Sequence, residues 1–448
     1  MALRRRTFLQ SLVGAGAFAA VAPAVRLLAE EPVERRFVSL YFNGGWDILL
    51  GPDARRPGTY AGLRTGYELL DEAYRRPMEV RLGDQTALWG AAMSALTATG
   101  PGDAAPHSSL CTLFKSVNMN TVAHPAGRAY MNTFRSPSGV VPRGSSFGTV
   151  MATGGNLHEG LVLPNVSLGM PSFNEGYAPD YTGVRTSTAP DILDLLQPRE
   201  SLDDATESLL RAAQDAAESC VGRAYEGRRP ADDMRASRDR VRRLLSENVG
   251  RLFDIRADTA EARELRGRYG LSATAARNPR DPRVVAAITG QLLATGLSRS
   301  VSAQIQTGMD THNTNWQTTQ GPRLRAGFEA IAHLLWDLRR DDPNLERTTV
   351  VVHSEFARTP KINGTGGRDH WFANAVLVFG GGLRRGVVGA TREDNLGLQK
   401  TNLATGAADE GGEMLKPEHI AATLALSHGL DPSIFRTDPL TEWIEGGV

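Results

Sequence analysis

The sequence predicts an α/β protein with a mostly parallel sheet and helices on both faces. Short apolar runs typical of buried strands alternate along the chain with segments of helical periodicity, and this alternation favours a parallel sheet. A chain of 448 residues is also long enough to bury a large core. Length alone allows two or three domains, but one large α/β domain with insertions fits equally well.

The first elements are predicted in the N-terminal half. The run RRFVSLYFNGGWD, residues 35–47, predicts the first core strand because its apolar stretch ends in a Gly-Gly turn. Strands are also predicted in residues 108–118 and 157–169, and a helix begins near Pro125 between them. Residues 200–298 carry apolar side chains at three- and four-residue spacing, which predicts a helical insertion.

The C-terminal part of the chain alternates more regularly. Its two helical segments are amphipathic, and the second has Pro near its start and Gly at its end. The predicted α/β domain therefore covers residues 36–448. Its last five elements are a strand with a polar loop in residues 300–316, a helix in 321–340, strands in 347–356 and 372–383, and a helix in 416–430.

Charge and cysteine content limit the function classes. Lys and Arg number 50, as do Asp and Glu, so the net charge is zero and no basic face for a nucleic acid is indicated. A composition of 41% hydrophobic and 22% charged residues is ordinary for a soluble protein. Cys111 and Cys220 are too few for a disulfide framework or a thiolate metal site, and leave one disulfide open.

The N-terminus predicts export. Residues 1–29 combine a basic start, an apolar run and the small-residue step APA at 22–24, which is the layout of a secretory signal. Arg5 and Arg6 before Thr-Phe-Leu resemble the twin-arginine signature. A membrane anchor is the competing interpretation, but the apolar run is shorter than the roughly 20 residues that a bilayer requires. We therefore expect a periplasmic or secreted protein with no stable membrane span after signal cleavage.

Acidic and imidazole side chains follow several of the predicted strands. In a parallel sheet the loops after the strands converge at one edge, where ligands bind. Carboxylate oxygens and imidazole nitrogens are the donors that proteins use for zinc, manganese, magnesium and calcium. The sequence therefore predicts a site for one or two divalent metal ions, with the ligands Asp47, Asp310, His312, Glu355, Asp369 and His370.

Each of these residues also has an ordinary structural interpretation. Asp and His in loops commonly cap helices or form turns, so one Asp-x-His alone is a weak signal. Recurrence at successive strand ends favours a shared site. The glycines of GGRDH, residues 366–370, would let the backbone bring Asp369 and His370 close to a ligand, although such turns also occur for conformational reasons.

Several motifs together resemble a known family. NGGWD, DTHNTN, HSEFARTPKINGTGGRDHW and VLVFGGGLRRGVVG, with the twin-arginine start, are similar to the bacterial family of domains of unknown function numbered 1501. The resemblance extends from about residue 36 to residue 430 and is weakest over residues 200–298. The fold of that family resembles the alkaline phosphatase and sulfatase superfamily. The resemblance implies an alkaline-phosphatase-like domain that holds two divalent metals with Asp and His side chains.

The resemblance also implies roles for individual residues. Asp47 resembles the early aspartate of the superfamily, and Asp310 with His312 resembles its middle loop, although the spacing here is two residues instead of four. The remaining correspondences are Glu355 with the acidic ligand of the next strand, Phe356 at a position that usually holds His, His370 with the late histidine, and Asp369 in place of the missing ligand.

The nucleophile departs from the superfamily pattern. Its hydrolases use a Ser, Thr or modified Cys at a helix N-terminus, and the related family usually reads Ser-His-Phe there. Here residues 123–125 read AHP, so that serine is absent and Thr121 is the nearest hydroxyl. His124 fits a metal ligand, a catalytic acid or base, or a loop histidine bonded to the backbone. Arg358 and Lys361 fit an anion clamp or ion pairs with the site's carboxylates.

Four other histidines are interpreted as structural. His353 lies within a predicted strand, where we expect a core residue with its hydrogen bonds satisfied. His333, His419 and His428 fall on helical patterns. None of these four is assigned to the site.

Two functions from different classes remain open. The first is an exported metal-dependent hydrolase that acts on a small anionic phosphate or sulfate ester, with activated water or the Thr121 hydroxyl attacking and Arg358 neutralising charge. The second is a metal-containing binding or assembly protein that keeps the scaffold without the nucleophile. The absent serine favours the second, and the set of carboxylates and histidines favours the first.

Overall fold

The α/β prediction is confirmed by a large sheet with helices packed on it. The structure is a computed structural model that describes residues 35–56, 58–59, 65–100, 105–154, 161–197, 203–225, 238, 242 and 248–445. Its strands are β1 Arg36–Phe42, β2 Met78–Leu82, β3 Gln85–Trp89, β4 Cys111–Asn118, β5 Asn165–Leu168, β6 Val184–Thr186, β7 Ser300–Gln306, β8 Thr348–Ser354, β9 Ala357–Arg358, β10 His370–Trp371, β11 Ala373–Gly380 and β12 Gly386–Val388.

The helices alternate with the strands of the main sheet. Two short two-stranded sheets, β2 with β3 and β9 with β10, stand beside it. The α-helices of the described residues are α1 His124–Thr133, α2 Phe147–Ala152, α3 Ile192–Leu196, α4 Asp204–Tyr225, α5 Ala260–Arg268, α6 Pro282–Ala294, α7 Trp316–Arg339 and α8 Pro417–Ser427.

The main sheet has eight strands in the order β12-β4-β11-β8-β1-β7-β5-β6. Strand β11 pairs antiparallel with both of its neighbours, β4 and β8, whereas the other neighbouring pairs are parallel. Strand β11 is therefore the one strand of this sheet that runs backwards. Its beginning lies at the edge where the parallel strands end, and this reversal positions the candidate site.

Apolar side chains on the central strands point alternately to the two faces of the sheet. Val38 and Val350 pack into a core that contains helices α6 and α7. Phe37 and Val351, one residue before or after them, pack into a second core that contains α1, α2 and α8. This period of two on a buried strand gives the sheet an apolar layer on each side.

The segment predicted as a helical insertion contains both exposed and packed helices. Helix α4 has mostly exposed side chains where they are described, whereas α6 is largely buried and contacts β7 and α7. Residues 282–294 therefore belong to the helical layer that covers the sheet.

Membrane-spanning helices and the thiol of Cys111 can be assessed in the described residues. No helix among them combines the length and apolar character that crossing a bilayer requires. The predicted signal, residues 1–29, and the side chain of Cys220 lie outside the described part of the chain. Cys111 is buried in β4 with a free thiol, so the disulfide that the sequence left open is not formed.

Candidate metal centre

Loops beside three strands meet at one edge of the sheet. The loop after β7 carries Asp310 and His312, and the loop after β4 enters α1 at His124. Both strands end at this edge because they run in the same direction. His370 precedes β11, which begins at this edge because it runs the other way. Residues distant in sequence are therefore brought together by the direction of their strands.

Three imidazole nitrogens converge on one carboxylate oxygen. The Nε2 atoms of His312, His124 and His370 lie 3.0, 3.3 and 3.5 Å from Oδ1 of Asp310. The Nε2 atoms of His312 and His370 are 2.9 Å apart. Donor atoms about 2.0–2.2 Å from a shared ion are expected to lie roughly 3–3.5 Å from one another. We refer to these four side chains as the His3Asp cluster.

The outer nitrogen of each ring is fixed by an acceptor behind it. Nδ1 of His124 donates to Glu355 Oε1 at 2.8 Å, and Nδ1 of His312 donates to Asp369 Oδ1 at 3.1 Å. Nδ1 of His370 donates to the carbonyl oxygen of Val122 at 2.6 Å. Because these acceptors place the ring proton on Nδ1, each Nε2 carries a lone pair; that of His312 also accepts a hydrogen bond from Nη1 of Arg358 at 3.3 Å.

The donor set of the cluster fits a divalent cation. Nε2 of His124 is buried and makes no hydrogen bond, although it faces other donor atoms. The ligand atoms of His124, Asp310 and His370 all lie within 4.8 Å of one another. Lone pairs that face each other repel unless a cation or proton lies between them. Imidazole and carboxylate donors of this kind suit zinc, manganese or another transition metal better than calcium.

A buried arginine keeps the carboxylate of the cluster ionised. Nη2 of Arg358 lies 2.6 Å from Oδ1 of Asp310. Partial burial would raise the pKa of Asp310, but the hydrogen bond and charge of Arg358 outweigh it and hold this pKa well below its usual value. Burial and then the charge of Arg358 lower the pKa of His370, which favours the neutral ring that a metal needs.

Comparison with known protein families matches residues 52–444 to the family described as "Protein of unknown function (DUF1501)". The chain belongs to this family. The family resemblance in the sequence is therefore confirmed, and the matched region contains all four residues of the His3Asp cluster. No curated protein matches this chain.

Glu355 and Asp369, which the sequence predicts as ligands, lie behind the histidines of this DUF1501 protein. Glu355 is fully buried, and its carboxylate accepts hydrogen bonds from the backbone of Gly44, from Ser354 and from His124. Burial would raise the pKa of Glu355, but these hydrogen bonds, led by that of His124, lower it. Asp369 is more exposed and orients His312 while accepting from Asn363. Both carboxylates act on the cluster through a histidine.

Asp47 is not part of the cluster, in contrast to the sequence prediction. Its side chain is 0% exposed, and Oδ1 lies 3.2 Å from Nη1 of Arg368, whose side chain is also 0% exposed. Trp316 Nε1 donates to Oδ2 at 2.7 Å, and the backbone of Leu49 donates to Oδ1. The carboxylate is thus committed to a buried ion pair, which Trp316 also covers by stacking on Arg368 at 4.5 Å.

Arg358 is placed differently from the anion clamp that the sequence suggested. Its side chain is 0% exposed. Its donors reach Asp310, Nε2 of His312 and the carbonyl oxygens of Gly44, Gly45, Met309 and Arg368. A guanidinium with all its donors engaged cannot also hold a substrate. The alternative interpretation, an ion pair with a carboxylate of the site, describes its position. Lys361 is exposed.

Thr121 and His124 flank the start of α1 in different roles. The hydroxyl of Thr121 accepts a hydrogen bond from the backbone of Ala123 at 3.2 Å, which stabilises the turn before the helix. His124 joins the His3Asp cluster with its Nε2 atom. Because its Nδ1 donates to the side chain of Glu355, the interpretation as a loop histidine bonded to the backbone does not describe it.

Gly367 allows two loops of the site to touch. A Cβ at this position would lie 2.2 Å from the carbonyl carbon of His312 and 2.3 Å from the nitrogen of Asn313. Asn363 links the same loops, because its side-chain amide donates to the His312 carbonyl and its oxygen accepts from the Gly367 backbone. The sequence suggested that this glycine serves a ligand; its close neighbour is the backbone beside His312.

Arg368 and Asn363 were missed by the sequence interpretation. Both lie in the quoted motif, between the RTP and DHW parts of HSEFARTPKINGTGGRDHW. An arginine among glycines, next to predicted carboxylate ligands, was the available signal that one of those carboxylates has a partner.

Proposed function

We propose that this protein is an exported metal-dependent hydrolase of phosphate or sulfate esters that holds a single metal ion in the His3Asp cluster. The supporting observation is the convergence of three Nε2 atoms on Asp310, with each Nδ1 bound from behind. Holding the rings in this way requires burial of the Glu355 carboxylate, which costs solvation free energy. A loop with a purely structural role does not need this arrangement.

His124, Asp310, His312 and His370 would hold the cation. A divalent cation there would act as a Lewis acid towards an ester oxygen and lower the pKa of a water molecule. Glu355 and Asp369 fix the orientation of the rings, and Arg358 keeps Asp310 ionised. We therefore propose that water, and not Thr121, is the attacking group.

Arg128 is the residue that we propose for contact with the anionic ester. It lies on the first turns of α1, four positions after His124, and its side chain is 47% exposed. Its Nε atom is 3.6 Å from Oε1 of Glu355, so the guanidinium is beside the cluster and still accessible. The N-terminus of α1, which carries partial positive charge, begins at the same place and favours an anion there.

The sheet supports a relation to the alkaline phosphatase and sulfatase superfamily in a general way. It is mostly parallel, and the cluster lies where its parallel strands end. The proposed single centre differs from the two-metal arrangement of that superfamily, because Asp47 is paired with Arg368 and Glu355 is bound to His124.

A non-catalytic metal protein is the second candidate. The specific observation in its favour is that the cluster supplies four protein donors. Four is the number that closes a tetrahedral structural zinc site. The replacement of the family's serine by Ala123 points the same way. In this case the cation would stabilise the loops for binding or assembly.

Metal analysis combined with an ester screen tests both proposals. Purified wild type, Asp310→Asn and the control His333→Ala are assayed for bound metal and for hydrolysis of p-nitrophenyl phosphate and p-nitrophenyl sulfate. His333 is a suitable control because it lies on helix α7, outside the cluster, and its Nδ1 bonds to the carbonyl oxygen of Arg268. Hydrolysis that disappears together with the metal in Asp310→Asn supports the hydrolase.

Other outcomes point elsewhere. Stoichiometric metal without hydrolysis in the wild type favours the binding or assembly protein. Unchanged metal content in Asp310→Asn contradicts the proposed ligand set and both candidates with it.

Export is proposed from residues 1–29 and is tested separately. Fractionation of bacteria that express the full chain is compared with the Arg5→Lys/Arg6→Lys variant. We expect the wild type in the periplasmic or secreted fraction and the variant in the cytoplasm. Equal distribution of the two proteins contradicts the twin-arginine route.

A further inference from the structure

A polar cavity lies beyond the C-terminal end of helix α1, whose N-terminal end carries His124. It has a volume of about 180 Å³ and opens to solvent. We call it the basic pocket, and its lining residues are Arg135, Ser136, Arg143, Lys416, Glu418, Phe435, Arg436 and Thr437. None of these residues belongs to the His3Asp cluster. Because α1 has ten residues and His124 begins it, the pocket lies roughly 15 Å from the cluster along the helix axis.

Positive charge dominates the basic pocket. Four of its eight lining side chains are Lys or Arg, and one is Glu. Within the described part of the chain, none of these four cations forms an ion pair with a carboxylate. Other exposed arginines do form such pairs, as Arg263 does with Asp258 and Arg392 with Asp394. Four cations gathered in one cavity with one counter-charge repel one another, and an anion would relieve that repulsion.

The single carboxylate of the pocket is engaged elsewhere. Oε1 of Glu418 accepts a hydrogen bond from the backbone of Ser136 at 2.9 Å, and Oε2 accepts one from the hydroxyl of Tyr130. These bonds attach the start of α8 to the end of α1. Glu418 therefore holds the two walls of the pocket together, and its single negative charge offsets only part of the charge of the four cations.

The N-terminus of α8 and an apolar wall of the pocket also suit an anion that carries an attached group. Lys416 immediately precedes α8, an eleven-residue helix whose N-terminal end carries partial positive charge. Phe435, which is 2% exposed, contributes an apolar wall. A tetrahedral oxyanion needs several donors on different sides, and the cations here come from three separate parts of the chain, at residues 135–143, 416 and 436.

We infer that the basic pocket is a second anion-binding site that takes a phosphate or sulfate group, independently of the metal. The group can arrive as a free inorganic ion or as part of a larger ester. Arg135 and Arg436 on opposing segments supply the main contacts, while Arg143 and Lys416 add positive charge. This inference does not depend on the proposed hydrolase, because no residue of the cluster takes part in it.

Titration calorimetry at low ionic strength tests the inference with inorganic phosphate, inorganic sulfate and glycerol 3-phosphate. The variant Arg135→Gln/Arg436→Gln is compared with the wild type and with Arg263→Gln/Arg392→Gln, which loses the same charge at exposed ion pairs outside the pocket. We expect the pocket variant to raise the Kd for the anion by roughly ten-fold or more and the control variant to leave it nearly unchanged. Thermal unfolding of each variant confirms that it is folded.

Two further variants test the pocket. One separates anion binding from the metal site, and the other should strengthen anion binding instead of weakening it. Phosphate binding should persist in Asp310→Asn, whose cluster is altered but whose pocket is intact. Glu418→Gln keeps an acceptor oxygen and removes the negative charge, so its affinity should rise. Tighter binding of glycerol 3-phosphate than of phosphate assigns the site to an esterified group, and the opposite order assigns it to the free ion. Equal affinities in the pocket and control variants, loss of all binding in Asp310→Asn, or no binding of any of the three probes overturns the inference.

Discussion

The histidines at the edge of the sheet and the histidine inside it have opposite surroundings. His124, His312 and His370 have side chains that are 18%, 39% and 21% exposed, and their Nε2 atoms face other donors. His353 on β8 is 0% exposed, and its Nε2 bonds to the hydroxyl of Ser39 at 2.9 Å. His124 and His353 each have one buried nitrogen without a hydrogen bond.

The difference lies in what surrounds that nitrogen. The ring of His353 contacts the rings of Tyr41 and Phe134 at 5.5 and 5.9 Å, and no carboxylate orients it. The ring of His124 is oriented by Glu355 and points towards Asp310 and His370. An unpaired nitrogen is therefore common to both regions, and only convergence of several oriented donors indicates a metal site.

The largest expected effect is on metal binding, and it tests this comparison directly. His370→Ala should weaken metal binding by more than roughly 100-fold, because it removes one donor and leaves the others without a complete set. His353→Gln should leave the metal content unchanged. Elemental analysis after dialysis measures both. Equal metal loss in the two variants would show that the cluster has no special role.

A smaller loss is expected when the orienting carboxylate is changed and the donors stay. Glu355→Gln should weaken metal binding by roughly 10- to 100-fold, since the amide no longer presents a negative acceptor to His124. Competition with a chromogenic chelator measures the affinity. Wild-type affinity in this variant would mean that the ring of His124 is held by packing alone.

Asp369→Asn should weaken metal binding less than Glu355→Gln does. The side chain of Asp369 is 57% exposed, so water can replace it as the acceptor for His312, whereas the buried Glu355 has no such substitute. The same chelator competition compares the two variants. A larger effect from Asp369 would reverse the assigned order of the two carboxylates.

The interior histidine should affect stability with pH and have no effect on metal. Burial lowers the pKa of His353 from 6.5 to about 3, so below about pH 6.5 the unfolded chain binds a proton that the folded chain does not. This stability is complete above that pH and falls as the pH decreases, by about 2 kcal/mol at about pH 5. Urea unfolding of chelator-treated wild type and His353→Gln should show a weaker acid dependence in the variant. Parallel pH profiles would contradict the assignment.

Most of the sheet could be predicted from the sequence because its central strands are continuous apolar runs. The runs in residues 35–47, 108–118, 300–316 and 347–356 contain β1, β4, β7 and β8. The hairpin of β2 and β3 was missed. Its strands have mixed exposure and short apolar content, which gives a weak periodic signal.

The position of a residue at a strand end could be predicted, but its partner could not. Asp310, His312 and His370 meet as their strand ends imply. Asp47 lies at the end of β1 as well, yet it pairs with Arg368, which is far away in sequence. Which carboxylate receives a buried arginine depends on side-chain packing that local sequence does not encode. The same reason explains why the sequence left Arg358 open between an anion clamp and an ion pair; it pairs with Asp310.

The backward strand β11 has a consequence for how the ion would be gained and lost. Because β11 pairs with β8 across residues 355–372, Glu355, Asp369 and His370 arrive through a short connection and can assemble early in folding. His124 enters from β4 and Asp310 from β7, so their approach requires the long-range order of the whole sheet. Release of a bound cation during denaturation should therefore coincide with collapse of the entire domain, and no partly unfolded form should retain it.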